Sequence, residues 1–172
     1  LRQEVLGENH SDTLISMNNL AADYRKLGKY DEALELDNKV LGVRIKELGE
    51  NHKLTLTSLN NVAGDYGALG RYTEAAELHR KAVDSSTKLL GEKHPDTLVT
   101  LTNLALDYSR LGRYSETLPL EEKILKIRTE VLGAKHVDTL ISANNLAGDY
   151  YTQGRYDEAA EKMQSLVDGV EE

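Results

Sequence analysis

Four kinds of side chain that could do chemistry recur along this chain, and they recur in step. Imidazoles stand at His10, His52, His94 and His136, and carboxylates at Asp23, Asp65, Asp107 and Asp149. Amides stand at Asn19, Asn61, Asn103 and Asn145, and phenols at Tyr24, Tyr66, Tyr108 and Tyr150. A histidine ladder invites a metal or acid–base reading. Equivalent residues of stacked units lie one unit apart, too far for shared coordination, so each of these histidines is expected to order a loop. His79 lies off the ladder and is expected on the surface. A Tyr, an Asp and a His in each unit imply no nucleophile–base pair, and four identical catalytic sites in a row would be unusual. The expectation is a protein that is not an enzyme, with no metal and no cofactor. There is no cysteine, which excludes disulfides and thiolate metal sites.

All four ladders step by 42 residues without slippage. A fixed period of this size marks a solenoid of stacked helical units. The expected fold is all-α, an alpha-alpha superhelix of four helix-turn-helix repeats spanning 7–48, 49–90, 91–132 and 133–172 in a single array over 1–172. Residues 1–6 align with the ends of the units and read as the tail of a preceding repeat.

Each unit must hold two helices. In the first, Leu14, Met17, Leu20, Ala21, Tyr24 and Leu27 share one face at helical spacing, with Leu20 at its centre. Gly28, Gly70, Gly112 and Gly154 suit a left-handed helix end. Asp31, Thr73, Ser115 and Asp157 follow as N-cap candidates for the second helix, and Glu32, Glu74, Glu116 and Glu158 favour its first turn. Ala33, Leu36, Val40, Leu41, Ile45 and Leu48 form the apolar contacts of that helix, and Gly49, Gly91 and Gly133 end it. Asp12, Asp96 and Asp138 are positioned to favour the next helix start. Leu54 breaks that pattern, so the second unit's first helix is expected to be less well capped, with Thr55 taking over part of the task. Pro119 falls early in a second helix and should distort it mildly without breaking it. Short helices of this kind are marginal alone. Ala21, Ala63, Ala105, Ala147, Ala33, Ala75 and Ala159 allow close approach of neighbours, with Thr117 in the remaining slot. The tyrosines of the 24/66/108/150 ladder and of a second ladder, 30/72/114/156, fill the seams. An end unit is expected to pack Tyr150 less completely than Tyr66 or Tyr108.

The formal net charge of −8 argues against a general binder of phosphate backbones, since counterion release needs clustered Lys and Arg. No nucleic-acid partner is expected. Residues 1–7 have no signal-peptide apolar region, and no apolar run is long enough to span a bilayer. No membrane partner and a cytoplasmic location are the corresponding expectations.

The chain resembles the tetratricopeptide repeat family, and in particular its 42-residue, kinesin-light-chain-like branch. The matching pieces are Asn-Asn-Leu-Ala-x-x-Tyr on the first helix, Gly-(Lys/Arg)-Tyr-x-Glu-Ala at the turn, and Leu-Gly-x-x-His-Pro-x-Thr-Leu, complete at Leu90 to Leu98. Pro119 also fits that branch. The resemblance covers essentially the whole chain. It implies a protein-interaction array whose first helices line a concave groove.

On the first helix, Ile15, Asn19, Ala22 and Lys26 fall on one flank at 100° per residue. Their equivalents are Thr57, Asn61, Gly64 and Ala68, then Val99, Asn103, Leu106 and Arg110, then Ile141, Asn145, Gly148 and Thr152. The resemblance places this flank in the groove. A constant amide can both donate to and accept from a peptide backbone, while variable neighbours give selectivity. Lys26 and Arg110 add local positive charge, so an extended segment mixing apolar and acidic residues is the expected ligand. Alternatives stay open: the Asn ladder fixes the stacking of neighbouring units, either alone or together with ligand contact, or the Asp ladder draws a basic ligand. The Asp ladder is otherwise expected to pair with Lys29, Arg71, Arg113 and Arg155. The second amide ladder, Asn18, Asn60, Thr102 and Asn144, is broken and is the weaker candidate. A self-associating scaffold, meeting end to end, is the competing function.

Overall fold

The computed structural model of the protein describes residues 7–171, with side-chain surroundings described as far as residue 164. The expected tail at 1–6 lies outside the described residues. Eight helices follow one another: α1 (Ser11–Lys26), α2 (Tyr30–Leu48), α3 (Lys53–Ala68), α4 (Tyr72–Leu90), α5 (Pro95–Arg110), α6 (Tyr114–Leu132), α7 (Val137–Thr152) and α8 (Tyr156–Glu171). They make four helix-turn-helix repeats, and there is no strand among the described residues. The chain divides into two compact units, Leu1–Glu92 and Lys93–Glu172. In the first, α1 packs on α2, α2 on α3 and α3 on α4. In the second, α5 packs on α6, α6 on α7 and α7 on α8.

The turn inside each repeat explains the Gly-(Lys/Arg)-Tyr motif. Gly28 adopts φ +73°, with its equivalents at +75°, +70° and +74°. The Gly28 N–H donates to Arg25 O (3.0 Å) and the Lys29 N–H reaches back to Tyr24 O (2.9 Å). This is the paired-carbonyl helix ending that needs a left-handed residue. The residue after the glycine then lies over the tyrosine whose carbonyl it engages. Lys29 stands 5.8 Å from the Tyr24 ring centre, and Arg71, Arg113 and Arg155 stand 4.5, 4.5 and 4.3 Å from Tyr66, Tyr108 and Tyr150. Each of these arginines also pairs with the glutamate three residues on, Glu74, Glu116 or Glu158. The basic residue therefore closes the turn through a cation–π contact and is not the partner of the Asp ladder.

Helix starts differ from the sequence reading. The first helix of every repeat is capped by its histidine. The Nδ1 atoms of His10, His52, His94 and His136 accept from the N–H two residues on, at 3.2, 3.2, 3.1 and 3.2 Å. The histidines order the loop, as expected. The second repeat is capped like the others, so Leu54 does not weaken it. Thr55 donates to Gly49 O (2.8 Å) just as Thr13 donates to Gly7 O (2.9 Å), fastening the linker and leaving the cap to His52. Three second helices begin two residues earlier than expected, with Lys29, Arg71 and Arg113 at the N-cap and no side-chain cap. Asp31, Thr73 and Ser115 thus sit inside the first turn. Helix α6 runs unbroken through Pro119.

The core follows the periodic positions except at Leu20, Leu27, Ile45 and Leu48; Leu27, at the end of α1, is 70% exposed. Val62, Leu104 and Leu146 are buried, whereas Leu20 is 44% exposed. Val62 is covered by Leu34 and Leu41 of α2, and Leu146 packs with Leu118 and Leu125 of α6. No helix precedes α1 among the described residues to cover Leu20 in that way. The seven alanines and Thr117 are all buried, most of them completely, which is what close helix approach requires. On α2, Ile45 and Leu48 are exposed, unlike the other apolar positions of that helix.

The ranking of tyrosines also reverses. Tyr150 is the least exposed of its ladder, and its hydroxyl donates to Glu122 Oε1 at 2.7 Å. Burial, then Glu122, pushes its pKa up to about 12, so the phenol stays protonated. Tyr150→Phe is expected to cost about 1 kcal/mol for the lost hydrogen bond, and Tyr150→Ala roughly 3–4 kcal/mol. Urea denaturation of the two variants separates the hydroxyl from the ring.

Candidate protein-interaction site

The flank singled out in the sequence faces solvent on every first helix. On α1, Ile15, Asn19 and Lys26 are exposed and Ala22 is half-buried. On α3, Thr57, Gly64 and Ala68 are exposed and Asn61 is half-buried. On α5, Val99, Leu106 and Arg110 are exposed with Asn103 half-buried, and on α7, Ile141, Asn145, Gly148 and Thr152 are exposed. Ile15, Val99, Leu106 and Ile141 each leave about half of their surface in water. Asn19, Asn61, Asn103 and Asn145 form no hydrogen bond with any described residue. Lys26 pairs with Asp23 at 3.3 Å, both side chains largely in solvent, a contact that offsets little of its charge.

Behind this exposed flank lies a buried polar layer that sequence reasoning missed. In the first unit, Arg25 Nη1 donates to Asp37 Oδ2 on α2 (2.5 Å) and to Asp65 Oδ1 on α3 (3.0 Å). Both carboxylates are fully buried. Asn18 donates to Asp37 Oδ1 (3.1 Å) and accepts from Arg44 Nη2 (2.9 Å). Arg44 Nη1 donates in turn to Leu54 O (3.0 Å) and Ser58 Oγ (2.7 Å). One connected network thus holds α1, α2 and α3. Burial lowers the Arg25 pKa, but the two carboxylates outweigh that and raise it overall. Burial pushes Asp65 up to about 6, against the pull of Arg25.

The second unit keeps the same positions with different residues. Arg128 Nη1 donates to Asp138 O (3.2 Å) and Ser142 Oγ (2.6 Å), and its Nη2 donates to Thr102 Oγ1 (3.2 Å), matching Arg44. At the place of Arg25 stands Ser109, whose hydroxyl donates to Asp149 Oδ1 (2.7 Å). At the place of Asp37 stands Glu121. Glu121 Oε2 and Asp149 Oδ2 are buried with no other hydrogen-bond partner. Burial first, then the charge of Asp149 and a hydrogen bond to it, pushes Glu121 up to about 8. At neutral pH the proton on Glu121 is what satisfies this pair of carboxyl groups.

The Asp ladder is therefore structural at Asp65 and Asp149, with partners drawn from the preceding repeat. Asp23 alone is exposed and pairs on its own helix. The weaker amide ladder turns out to serve the network through Asn18 and Thr102. His79, expected on the surface, is 3% exposed, because it occupies the same inward position as Asp37 and Glu121. One signal for the layer was present in the sequence: Val43-Arg44 and Ile127-Arg128 recur 84 residues apart. A long cation following a core aliphatic, in register, marks a buried role.

Among the described residues no group of three or more His, Cys, Asp or Glu could hold a metal ion, and no helix is long and apolar enough to cross a membrane. The chain belongs to the tetratricopeptide repeat family, whose model matches residues 1–46, 12–88, 54–128 and 110–172, and its repeats are kinesin-light-chain-like. Two crystal structures of a Podosopora anserina protein, described as a kinesin light chain with nearly identical TPR-like repeats, superpose with TM-scores of 0.88 and 0.86. Each is 30% identical, over 97% of this chain and 79% of that one. BtubC from P. vanneervenii shares the fold at 20% identity, with a TM-score of 0.81 over 91% of this chain and 62% of its own. A Rap protein crystallised with Competence and Sporulation Factor does so at 16% identity, with a TM-score of 0.74 over 92% and 42%. No curated protein matches the chain. Family membership defines the fold class as an all-α solenoid of helix-turn-helix repeats and the function as protein–protein interaction or scaffolding, which is non-catalytic.

Proposed function

We propose that, in each of the two units, the Asn-bearing flank of the first helices binds an extended peptide segment of a partner protein. The observation that carries this reading is the set of four amides with no hydrogen bond to a described residue, three of them beside the half-exposed aliphatics Ile15, Val99, Leu106 and Ile141. An amide used to fix stacking would be bonded to a neighbouring helix. An amide left free at the surface can pair with a peptide N–H and C=O at once. Ile15 and Thr57 in the first unit, and Val99, Leu106 and Ile141 in the second, supply apolar contact that a ligand would remove from water. Arg110 and, less strongly, Lys26 favour an acidic residue in that ligand.

Asn61→Ala combined with Asn103→Ala tests the assignment. Both side chains are partly exposed and bond to no described residue, so circular dichroism should stay unchanged. Partner capture in a pull-down should fall at least tenfold, on the order of 1–2 kcal/mol for two lost hydrogen bonds. Undiminished capture by a folded double variant removes the Asn flank from the binding surface.

A further inference from the structure

Residues 84–86 of α4 depart from repeats 1 and 3 in two ways at once. Where repeats 1 and 3 have Gly42-Val43-Arg44 and Lys126-Ile127-Arg128, repeat 2 has Asp84-Ser85-Ser86. Val43 is half-buried and Ile127 is buried, so in repeats 1 and 3 this register position carries a branched aliphatic side chain that fills space. Ser85 does not fill it. A crevice of about 420 Å³ opens among α2, α3 and α4, lined by Leu41, Leu59, Leu78 and Ser85, with Glu50 and Asp84 beside it. Its size falls in the range of ligand-binding clefts, and an apolar wall with few polar groups is their usual lining. The rim carries two carboxylates and one ammonium, that of Lys81. None of the three is in an ion pair with a described residue.

We propose that this crevice is a second docking site, for a segment of a partner protein that presents a branched aliphatic residue flanked by basic residues. The aliphatic side chain takes the volume that Val or Ile takes at the same register in the neighbouring repeats, resting on Leu41, Leu59 and Leu78. Its basic neighbours meet Glu50 and Asp84, whose charges exceed that of Lys81. Asp84 stands where repeats 1 and 3 have Gly42 and Lys126, an aspartate that recurs at this register only at Asp168 of repeat 4. The gap and the added carboxylate thus occur together, on adjacent residues, where a ligand of one kind uses both. The site lies on other residues than the Asn flank and does not depend on it.

The probe is the capped pentapeptide acetyl-Ala-Arg-Ile-Arg-Ala-amide, titrated into the full chain while the methyl resonances of Leu41, Leu59 and Leu78 are followed by NMR. Saturable shifts at these methyls are expected, at millimolar or tighter affinity. Ser85→Ile, which restores the residue type of repeat 3, should weaken binding at least tenfold, and Asp84→Lys at least fivefold. The counterpart peptide with Glu in place of both Arg should not saturate. The Asn61→Ala, Asn103→Ala variant should bind the probe as the parent does, which separates this site from the Asn flank. Absence of saturable shifts overturns the proposal. Equal binding by Ser85→Ile or Asp84→Lys, or by the Glu-flanked peptide, overturns it as well.

Discussion

Replacing Arg25 with alanine is expected to destabilise the first unit by roughly 3 kcal/mol, the lower end of the range for removing one partner of a buried ion pair. The reason is the pair of groups left behind. Asp37 and Asp65 are fully buried, and Arg25 is the cation that both of them contact. Without it, two like charges face each other in a low-dielectric seam, with Asn18 the only remaining donor to Asp37 among the contacts described above. Part of the Arg25 side chain is exposed, so water can enter and moderate the loss. Urea denaturation gives the difference directly. Adding Asp65→Asn to the alanine variant should recover much of it, because the second charge is then gone. A loss under 1 kcal/mol for Arg25→Ala would mean that the carboxylates find other relief.

The second unit makes the opposite choice, and its stability should depend on pH where that of the first does not. Glu121 is pushed up to about 8 in the folded chain, from an ordinary value of 4.5. A carboxyl group with a raised folded pKa binds its proton more tightly in the native state. Its stabilising contribution is present in full below about pH 4.5, declines as pH rises, and is gone above about pH 8. Asp65, raised to about 6, acts with the same sign but in a lower window. Measurement between pH 6.5 and 8.5 therefore isolates Glu121. Over that interval the parent protein should lose roughly 2 kcal/mol relative to Glu121→Gln. The glutamine variant keeps a donor toward Asp149 without a titrating proton. Ser109→Arg should flatten the pH profile too, by supplying the guanidinium that Arg25 supplies in the first unit. Parallel profiles for the parent and Glu121→Gln would show that Glu121 is already ionised at pH 6.5.

These two results concern residues that sequence reading passed over or misassigned, and the reason lies in where their partners are. Asp65 has Arg71 six residues away in the chain, so a local pairing was the natural expectation. The glycine turn, however, sends Arg71 back over Tyr66, while Arg25, 40 residues earlier, arrives from the preceding repeat. His79 was read as a surface residue because no ladder of histidines accompanies it. Its place is shared by Asp37 and Glu121, residues of different type whose common burial no single-residue ladder shows. Leu20 was placed at the centre of a buried face, which its equivalents confirm, yet burial of that position needs a helix from the preceding repeat.

What the chain declares on its own is whatever short-range stereochemistry enforces: the period, the paired helices, the glycine turns and linkers, the loop-ordering histidines and the alanine seams. Each depends on residues within a few positions of one another, so a repeated local pattern is enough to specify it. Only the packed structure decided which cation meets which carboxylate, which tyrosine is most enclosed, and where a serine leaves a crevice. Those outcomes depend on side chains that helix packing brings together from distant parts of the chain, and they differ between repeats because single substitutions change the shape and charge of each seam.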